Sequence, residues 1–471
     1  LTGFFRRTLL ESGGGFSFSR DDENPFAFQA SYNVFPNYVT FTNTIESERW
    51  PVLGMALEAF YAGKFEDDPS SFARFISGLS PDERINLALA ERTLEEIVAD
   101  RDRRDMAYYA IREKGDFLFL LLKSMLGERV FDEYLASFLT GNRFTRISAD
   151  ELISSLRERF GIDFAPYIDN WYSSVELPGF LTGGLKAYKV LDGDRERYQV
   201  RLRISNPEDS GGLVEIKFNR RRAPGRRGGF FRRMMGDRPD DGDELTRQVR
   251  IEAGGNLELG FVLVYQPGAM EINTLISRNI PSVITRSFSD FELDKNARPF
   301  DGVREVEGVV SLEQPGEIIV DNEDPGFEAG TRETRSLLKR LLPGSDVDED
   351  EKYHGMIYWR NTPRWLPTTD SKFFGRYVRS AHFTNNGKGE RKVSWTAELP
   401  ASGFYDVYCH VARITPPWSR HRGGQDFGTN HYLIHHDDGI EDTEIELDTA
   451  QDGWNFLGSY YMWAGKAVSE M

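Results

Sequence analysis

The stretch RYQVRLRIS, which runs from Arg197 to Ser205, decides the fold class of the chain. Its side chains alternate, with Tyr198, Val200, Leu202 and Ile204 on one face and Gln199, Arg201 and Arg203 on the other. An alternation with period two predicts a β-strand that buries one face. The same pattern continues in LVEIKF, TRQVRIEA, LELGFVLVY and MEINTLIS. We therefore predict a β-sandwich over residues 181–308.

Before residue 180, apolar residues recur with a helical period instead. Two capping boxes, SPDE at residues 80–83 and SADE at residues 148–151, predict helix starts. Between them, DFLFLLLKSML predicts a helix that is buried on most sides. Residues 1–180 are thus predicted to form an all-α helical domain, and we expect this domain to be incomplete at its N-terminus.

After residue 308, short strands such as KVSWTAEL and YDVYCHV are separated by Gly, Pro and Asn turns. This spacing predicts a second all-β domain over residues 309–471, which we expect to be truncated at its C-terminus. The predicted fold class is multidomain α+β, with an all-α helical domain followed by two all-β sandwich domains. An Arg/Gly-rich insertion at residues 219–244 and an acidic one at residues 343–351 are predicted to be exposed loops.

Composition excludes several functions. The formal net charge of −17 argues against nucleic acid as a partner, including at the basic insertion. The single cysteine, Cys409, excludes a disulfide within the chain. The longest apolar run, residues 117–122, is much shorter than the roughly 18 residues that a membrane span needs.

The letters GAME at residues 268–271 resemble the G-A-M-E-N loop with which zinc aminopeptidases bind the substrate's amine. They lie within the alternating pattern of MEINTLIS, however, and Ile272 follows where asparagine is needed. We therefore interpret them as part of a strand. All seven histidines lie at or after His354, and the chain has no H-E-x-x-H motif, which zinc peptidases of this type need on one helix.

Residues 40–180 nevertheless resemble the helical segment that follows the zinc site in aminopeptidases related to membrane alanyl aminopeptidase. The resemblance rests on EKG (113–115), LG (126–127), FGID (160–163), Trp171 and LP (177–178). It implies a tyrosine two residues before Lys-Gly, but Arg112 stands there. Glu58 occupies a position that echoes the third zinc ligand. The alternative interpretation is that Glu58 is an ordinary carboxylate on an amphipathic helix. Glu58 and Arg112 are thus predicted to be vestigial catalytic positions.

The C-terminal part resembles the golvesin and xanthan lyase type of C-terminal domain. The matching stretches are VDNEDPGF (320–327), KVSWTAELPASGFYDVYCHV (392–411), HHDDG (435–439) and GWNFLGSYYMWAG (453–465). This resemblance implies a β-sandwich of the kind appended to envelope and carbohydrate-active proteins.

Exposed aromatic rings in this region could stack on sugars, with Asp and Asn bonding hydroxyls. The candidates for ligand binding are Trp359, Trp365, Trp418, Tyr432 and Trp463, each with core packing as its alternative. Trp395 and Trp454 are assigned to the core. His435 and His436 point to opposite faces of a predicted strand, so no metal site is expected there. The acidic residues near Asp321 lack the regular spacing of a calcium loop.

Two functions remain open. In the first, the chain is a non-catalytic binding or scaffolding module of the bacterial cell envelope, without a cofactor, whose partner is a polysaccharide or a peptide. In the second, it is the distal part of an active zinc aminopeptidase whose catalytic helix lies upstream. The domain order resembles the periplasmic part of fusions between an ABC transporter permease and an aminopeptidase. That resemblance implies an upstream membrane-spanning partner domain.

Overall fold

The computed structural model describes residues 43–63, 78–100, 104–220, 245–330, 352–356, 362, 364–385, 387–389, 391–414 and 427–471. Nearly all of the Arg/Gly-rich insertion and the whole of the acidic insertion lie outside these residues. The described chain is an α+β protein with several separate sheets.

Helices dominate the first part of the chain. They are α1 (Leu53–Gly63), α2 (Pro81–Leu89), α3 (Leu94–Ala99), α4 (Arg104–Leu126), α5 (Glu128–Gly141), α6 (Ala149–Phe160) and α7 (Ala165–Ser173). Two strands, β1 (Asn43–Glu46) and β2 (Thr145–Ser148), pair in parallel. The expected all-α composition is therefore not confirmed. None of the helices in the described residues has the length and hydropathy needed to cross a membrane.

The predicted signals for α6 are confirmed in detail. The Ser148 side chain accepts a hydrogen bond from the Glu151 N–H, and the Glu151 carboxylate accepts one from the Ser148 N–H. The helix ends at Gly161, whose φ of 71° is easily adopted only by a residue without a Cβ. The long helix α4 buries Leu118, Phe119 and most of the predicted apolar run in the helical core.

Two four-stranded sheets form the middle sandwich. Its strands are β3 (Leu181–Asp192), β4 (Arg195–Ser205), β5 (Gly212–Arg220), β6 (Thr246–Ile251), β7 (Asn256–Leu263), β8 (Pro267–Asn273), β9 (Val283–Ser287) and β10 (Gly302–Glu305). One sheet has the order β10-β7-β4-β3 and the other β6-β5-β8-β9, with antiparallel pairing throughout. Both inner faces contribute to one apolar core.

Strand β4 shows where the alternation rule fails. Val200, Leu202 and Ile204 are buried as predicted, but Gln199 on the opposite face is fully buried too. Its Nε2 donates a 2.8 Å hydrogen bond to the Phe300 carbonyl oxygen, and its Oε1 accepts one of 2.8 Å from the Phe300 N–H. The chain segment before β10 therefore covers the face that was expected to be exposed, and it satisfies the buried amide.

The described residues of the last part of the chain include nine strands. They are β11 (Phe327–Ala329), β12 (Leu366–Thr369), β13 (Ser380–Phe383), β14 (Val393–Leu399), β15 (Gly403–Val411), β16 (Thr429–His436), β17 (Gly439–Glu446), β18 (Gly453–Met462) and β19 (Gly465–Glu470). A five-stranded sheet has the order β11-β14-β19-β16-β17, and β15 pairs with β18 in a separate two-stranded ribbon. Apolar side chains from sheet and ribbon form a small core between them.

Residues 274–282, which we call the junction loop, join all three parts. The Leu275 carbonyl oxygen accepts hydrogen bonds from Asn86 Nδ2 at 2.9 Å and from Lys114 Nζ at 3.0 Å, which tie the loop to α2 and α4. Ile280 N donates to the Tyr377 carbonyl oxygen at 3.0 Å, and Arg379 N donates to the Ile280 carbonyl oxygen at 2.6 Å. The loop thus positions the segment before β13 against the middle sandwich.

A buried carboxylate fixes the same loop to the start of α2. Glu83 has no solvent exposure, and its Oε2 accepts a hydrogen bond of 2.9 Å from the Ser80 N–H. Its Oε1 accepts a hydrogen bond of 2.8 Å from the Ser282 N–H. The capping residue predicted from sequence therefore also links two parts of the chain that are 199 residues apart.

Candidate functional site

The letters GAME lie in strand β8, as predicted. Met270 and Ile272 are fully buried, while Glu271 points to the other face and accepts a 2.7 Å hydrogen bond from Asn219 Nδ2 on β5. A carboxylate held by a neighbouring strand of a sheet is part of the sandwich, so these residues do not form a substrate-binding loop.

The two residues that were predicted to be vestigial catalytic positions lie on two neighbouring helices. Glu58 is half-buried on α1, and Arg112 is half-buried on α4. The adjacent Lys114 is 3% exposed, and its ammonium lies 3.5 Å from Asp82 Oδ2 as well as bonding the junction loop. The Lys-Gly pair thus serves helix packing. In the part of the chain that the structure describes, no three His, Cys, Asp or Glu side chains are grouped as a metal site would need.

The outer face of the β15–β18 ribbon is the most exposed aromatic surface among the described residues. We call it the aromatic face, and its members are Phe404, Tyr408, Trp454, Phe456, Tyr461 and Trp463. Phe404 is 77% exposed, Trp463 64%, Phe456 54% and Trp454 48%. Soluble proteins rarely expose contiguous large apolar side chains without a binding role.

The rings of the aromatic face contact one another in cross-strand pairs. Phe404 and Tyr461 have ring centroids 5.4 Å apart, and Tyr408 and Phe456 have centroids 5.3 Å apart. These residues are register partners in the antiparallel ribbon. Cross-strand packing restricts each ring, so the exposed surface is already ordered before a ligand arrives.

A polar pair interrupts this apolar surface. Asp406 lies between Phe404 and Tyr408 on β15, and its register partner on β18 is Ser459. Both residues are exposed. A carboxylate and a hydroxyl between flat rings provide hydrogen-bonding groups for a ligand that also has apolar faces.

The predicted binding residues are scattered. Trp463 lies on the aromatic face, 5.3 Å from the Tyr461 ring. Tyr432 is buried in the core, with its ring 6.4 Å from that of Trp395, so it is not available to stack on a ligand. Trp365 is half-buried just before β12, and Trp359 and Trp418 lie outside the described residues.

Trp454 corrects the sequence assignment. It was expected in the core, but it stands on the outer face of β18 and contacts the His410 ring at 5.2 Å. The reason is that GWNFLGSYYM carries large apolar residues on both faces of the strand. Alternation therefore could not indicate which face is outside. The aromatic residues on both faces of the strands were the available signal, and Phe404, Tyr408 and Phe456 of the aromatic face were not predicted.

His435 and His436 lie at the end of β16, and the turn at 437–438 leads into β17. The acidic segment near Asp321 is held by side chains from distant parts of the chain. Glu323 Oε1 accepts hydrogen bonds from Tyr353 Oη at 2.8 Å and from Ser380 Oγ at 2.6 Å. Burial, together with the Asp324 and Glu323 carboxylates, raises the pKa of Asp321 to about 7, although the Asn322 N–H opposes the shift.

This shift predicts a pH dependence. Because the folded state raises the pKa of Asp321 from 3.8 to about 7, folding favours the protonated carboxyl. The contribution of Asp321 to the stability of the folded state is fully present below about pH 4 and is lost as the pH rises to about 7. Asp321→Asn is therefore expected to raise the melting temperature at pH 8 and to leave it unchanged at pH 3.5. Thermal unfolding at both pH values measures this. An equal shift at both values would contradict it, and Asp438→Asn, in an exposed turn, is the control.

The ribbon and the five-stranded sheet define a β-sandwich domain with an aromatic surface. Comparison with known families agrees, because residues 357–469 match the model of the Golvesin C-terminal domain. This confirms the resemblance for the C-terminal part, whereas the aminopeptidase and transporter resemblances remain predictions.

Among solved structures, a xanthan lyase from Paenibacillus is similar to 62% of this chain, at 14% identity and a TM-score of 0.22. The chain spans only 24% of that protein's length. None of the curated proteins searched matches the chain.

Proposed function

We propose that the C-terminal β domain binds carbohydrate through the aromatic face. The exposed aromatic pairs of the ribbon carry this proposal, because flat apolar rings stack well on the C–H faces of sugars. Asp406 and Ser459 lie between the pairs and supply hydrogen bonds to hydroxyls. The surface is an open strip along two strands, which suits several successive units of a chain better than one enclosed small molecule.

In the wider proposal, the chain is a non-catalytic binding and scaffolding module of the bacterial cell envelope. The match of residues 357–469 to the Golvesin C-terminal domain supports the β domain as its binding part. The helical part then serves as support, since the junction loop ties α2 and α4 to the segment that leads into the β domain. An upstream membrane-spanning partner belongs to the same proposal.

The binding proposal predicts a specific loss. Trp454→Ala is expected to weaken binding to the best ligand of a panel of soluble neutral and acidic hexasaccharides roughly tenfold, because it removes one stacking ring. Phe456→Ala should act in the same direction. Isothermal calorimetry on the whole chain measures both.

Phe144→Ala is the matched control, because Phe144 is 76% exposed but lies between α5 and β2, far along the chain from the ribbon. Equal affinities of the Trp454 and Phe144 variants would contradict a binding role for the aromatic face. Absence of binding to any hexasaccharide would refute the proposed function, and capture of an envelope protein instead would identify the surface as a protein interface.

The second function, the distal part of a zinc aminopeptidase, is supported by the Lys-Gly helix and by the Leu-Pro pattern at residues 177–178. It requires zinc ligands from outside the described residues. Zinc content and hydrolysis of aminoacyl anilides by a longer chain that includes the upstream sequence separate the two functions, since turnover there would establish the peptidase.

A further inference from the structure

A cleft of about 350 Å³ opens where the aromatic face meets the middle sandwich. Arg286 of β9 lines it from one side, and Arg379, Lys372, His410 and Asp452 line it from the C-terminal part. The Phe374 ring, also in the lining, lies 5.3 Å from the Trp454 ring. The aromatic face therefore continues into a cleft that carries three cations and one carboxylate.

The two arginines have unusual surroundings. Arg379 is 8% exposed, and its Nε is buried without a hydrogen-bond acceptor in the described structure. Arg379 Nη1 and Arg286 Nη1 each donate a 3.3 Å hydrogen bond to the same Ser371 carbonyl oxygen, so the two guanidinium groups lie side by side. None of the ion pairs within the described residues joins either of them to a carboxylate.

The one carboxylate in the lining already has other partners. Asp452 Oδ1 accepts a hydrogen bond of 3.0 Å from the Arg413 N–H, and Asp452 Oδ2 lies 3.5 Å from Lys372 Nζ. The Arg413 Nε also lies 3.4 Å from Asp452 Oδ1, so the carboxylate charge is shared with Lys372 and Arg413, outside the arginine pair. Burial lowers the pKa of Arg379 to about 10, and the neighbouring Arg286 adds to this effect. Arg379 is buried and Arg286 is half-buried. Two adjacent, largely desolvated cations without a counter-ion are costly in a folded protein, and an anion supplied by a ligand would offset that cost.

We infer that this cleft binds the carboxylate of an acidic sugar, so that the ligand of the aromatic face is a uronate-containing polysaccharide. This inference rests on the proposed carbohydrate function, which explains why the anion is a carboxylate on a sugar ring. The arginine pair binds the carboxylate, and Trp454 and Phe374 contact the adjoining rings. Guanidinium groups suit this role, because their planar donors match the two oxygens of a carboxylate.

The test compares hexasaccharides of galacturonate, mannuronate and a glucuronate-containing repeat with their carboxyl-reduced, neutral counterparts. For at least one pair, the acidic form is expected to bind roughly tenfold or more tightly at low salt, and the difference should shrink as salt screens the charges. Arg379→Met and Arg286→Met should each remove most of the difference while leaving affinity for the neutral form unchanged. Arg304→Met, at an exposed arginine of β10, is the matched control.

The outcomes separate the two claims. Equal binding of acidic and neutral forms to the unmodified chain would overturn the arginine site and leave the aromatic face intact. Binding of neither form would overturn the carbohydrate function and this inference with it. A preference for the acidic form that both arginine variants retain would place the anion elsewhere and overturn the assignment. Because the two variants remove the charges separately, a folding defect in one leaves the other as the test.

Discussion

Replacing Glu83 by alanine is expected to lower the free energy of unfolding by about 3 kcal/mol or more, which is among the largest single effects in this chain. The substitution removes the acceptor of two backbone N–H groups, those of Ser80 and Ser282. Because Glu83 has no solvent exposure, the two N–H groups that it accepted from would remain buried after the substitution. A buried donor without an acceptor retains its full cost of desolvation, so the loss exceeds that of an ordinary helix cap.

Chemical unfolding of the whole chain measures this loss. Glu91→Ala is the control, since Glu91 is exposed just beyond the end of the same helix and the same atoms are removed there. The control should change the free energy of unfolding by less than about 0.5 kcal/mol. A Glu83 variant as stable as the Glu91 variant would show that the junction loop is not held by this carboxylate.

Phe261→Ala is expected to cost about 3–5 kcal/mol, because it opens a cavity in the middle sandwich. The Phe261 ring is fully buried, 4.9 Å from the Phe218 ring of the opposite sheet. The Arg247 guanidinium packs 4.8 Å from the centre of the Phe261 ring. The substitution would therefore also remove this contact of Arg247. Chemical unfolding measures the loss of stability.

Phe404→Ala makes the same chemical change on the aromatic face, where the ring is 77% exposed. It should leave stability within about 0.5 kcal/mol of the unmodified chain, since little burial is lost. It should instead weaken hexasaccharide binding. If the two phenylalanine variants lost equal stability, the ring of Phe404 would have to be buried in solution, and the aromatic face would not be a free surface.

Local patterns in the sequence predicted local structure well. The capping box at Ser148 and Glu151 and the strand that contains Met270 and Ile272 both follow from contacts between residues close in the chain. Such contacts are determined by backbone geometry and by the nearest side chains, which a single sequence displays directly.

Contacts between distant residues were not predictable in the same way. Nothing near Glu83 indicates that its second oxygen bonds Ser282, and nothing near Gln199 indicates that Phe300 covers it. The same limit applies to the candidate site. Trp454 and Tyr432 both lie in strands. Only the packing of the ribbon on the sheet determines that Trp454 is exposed and that Tyr432 is buried.

The cleft between β9 and the C-terminal part has a consequence for how the chain responds to its ligand. Arg286 lies on β9 of the middle sandwich and Arg379 lies just before β13, so an occupant that contacts both arginines bridges the middle sandwich and the C-terminal part. Binding energy therefore adds to the cohesion between them, and saturating ligand should merge their melting into one cooperative transition. Tension on a bound polysaccharide strand would then act on an interface between the two parts of the chain that the bound ligand itself stabilises.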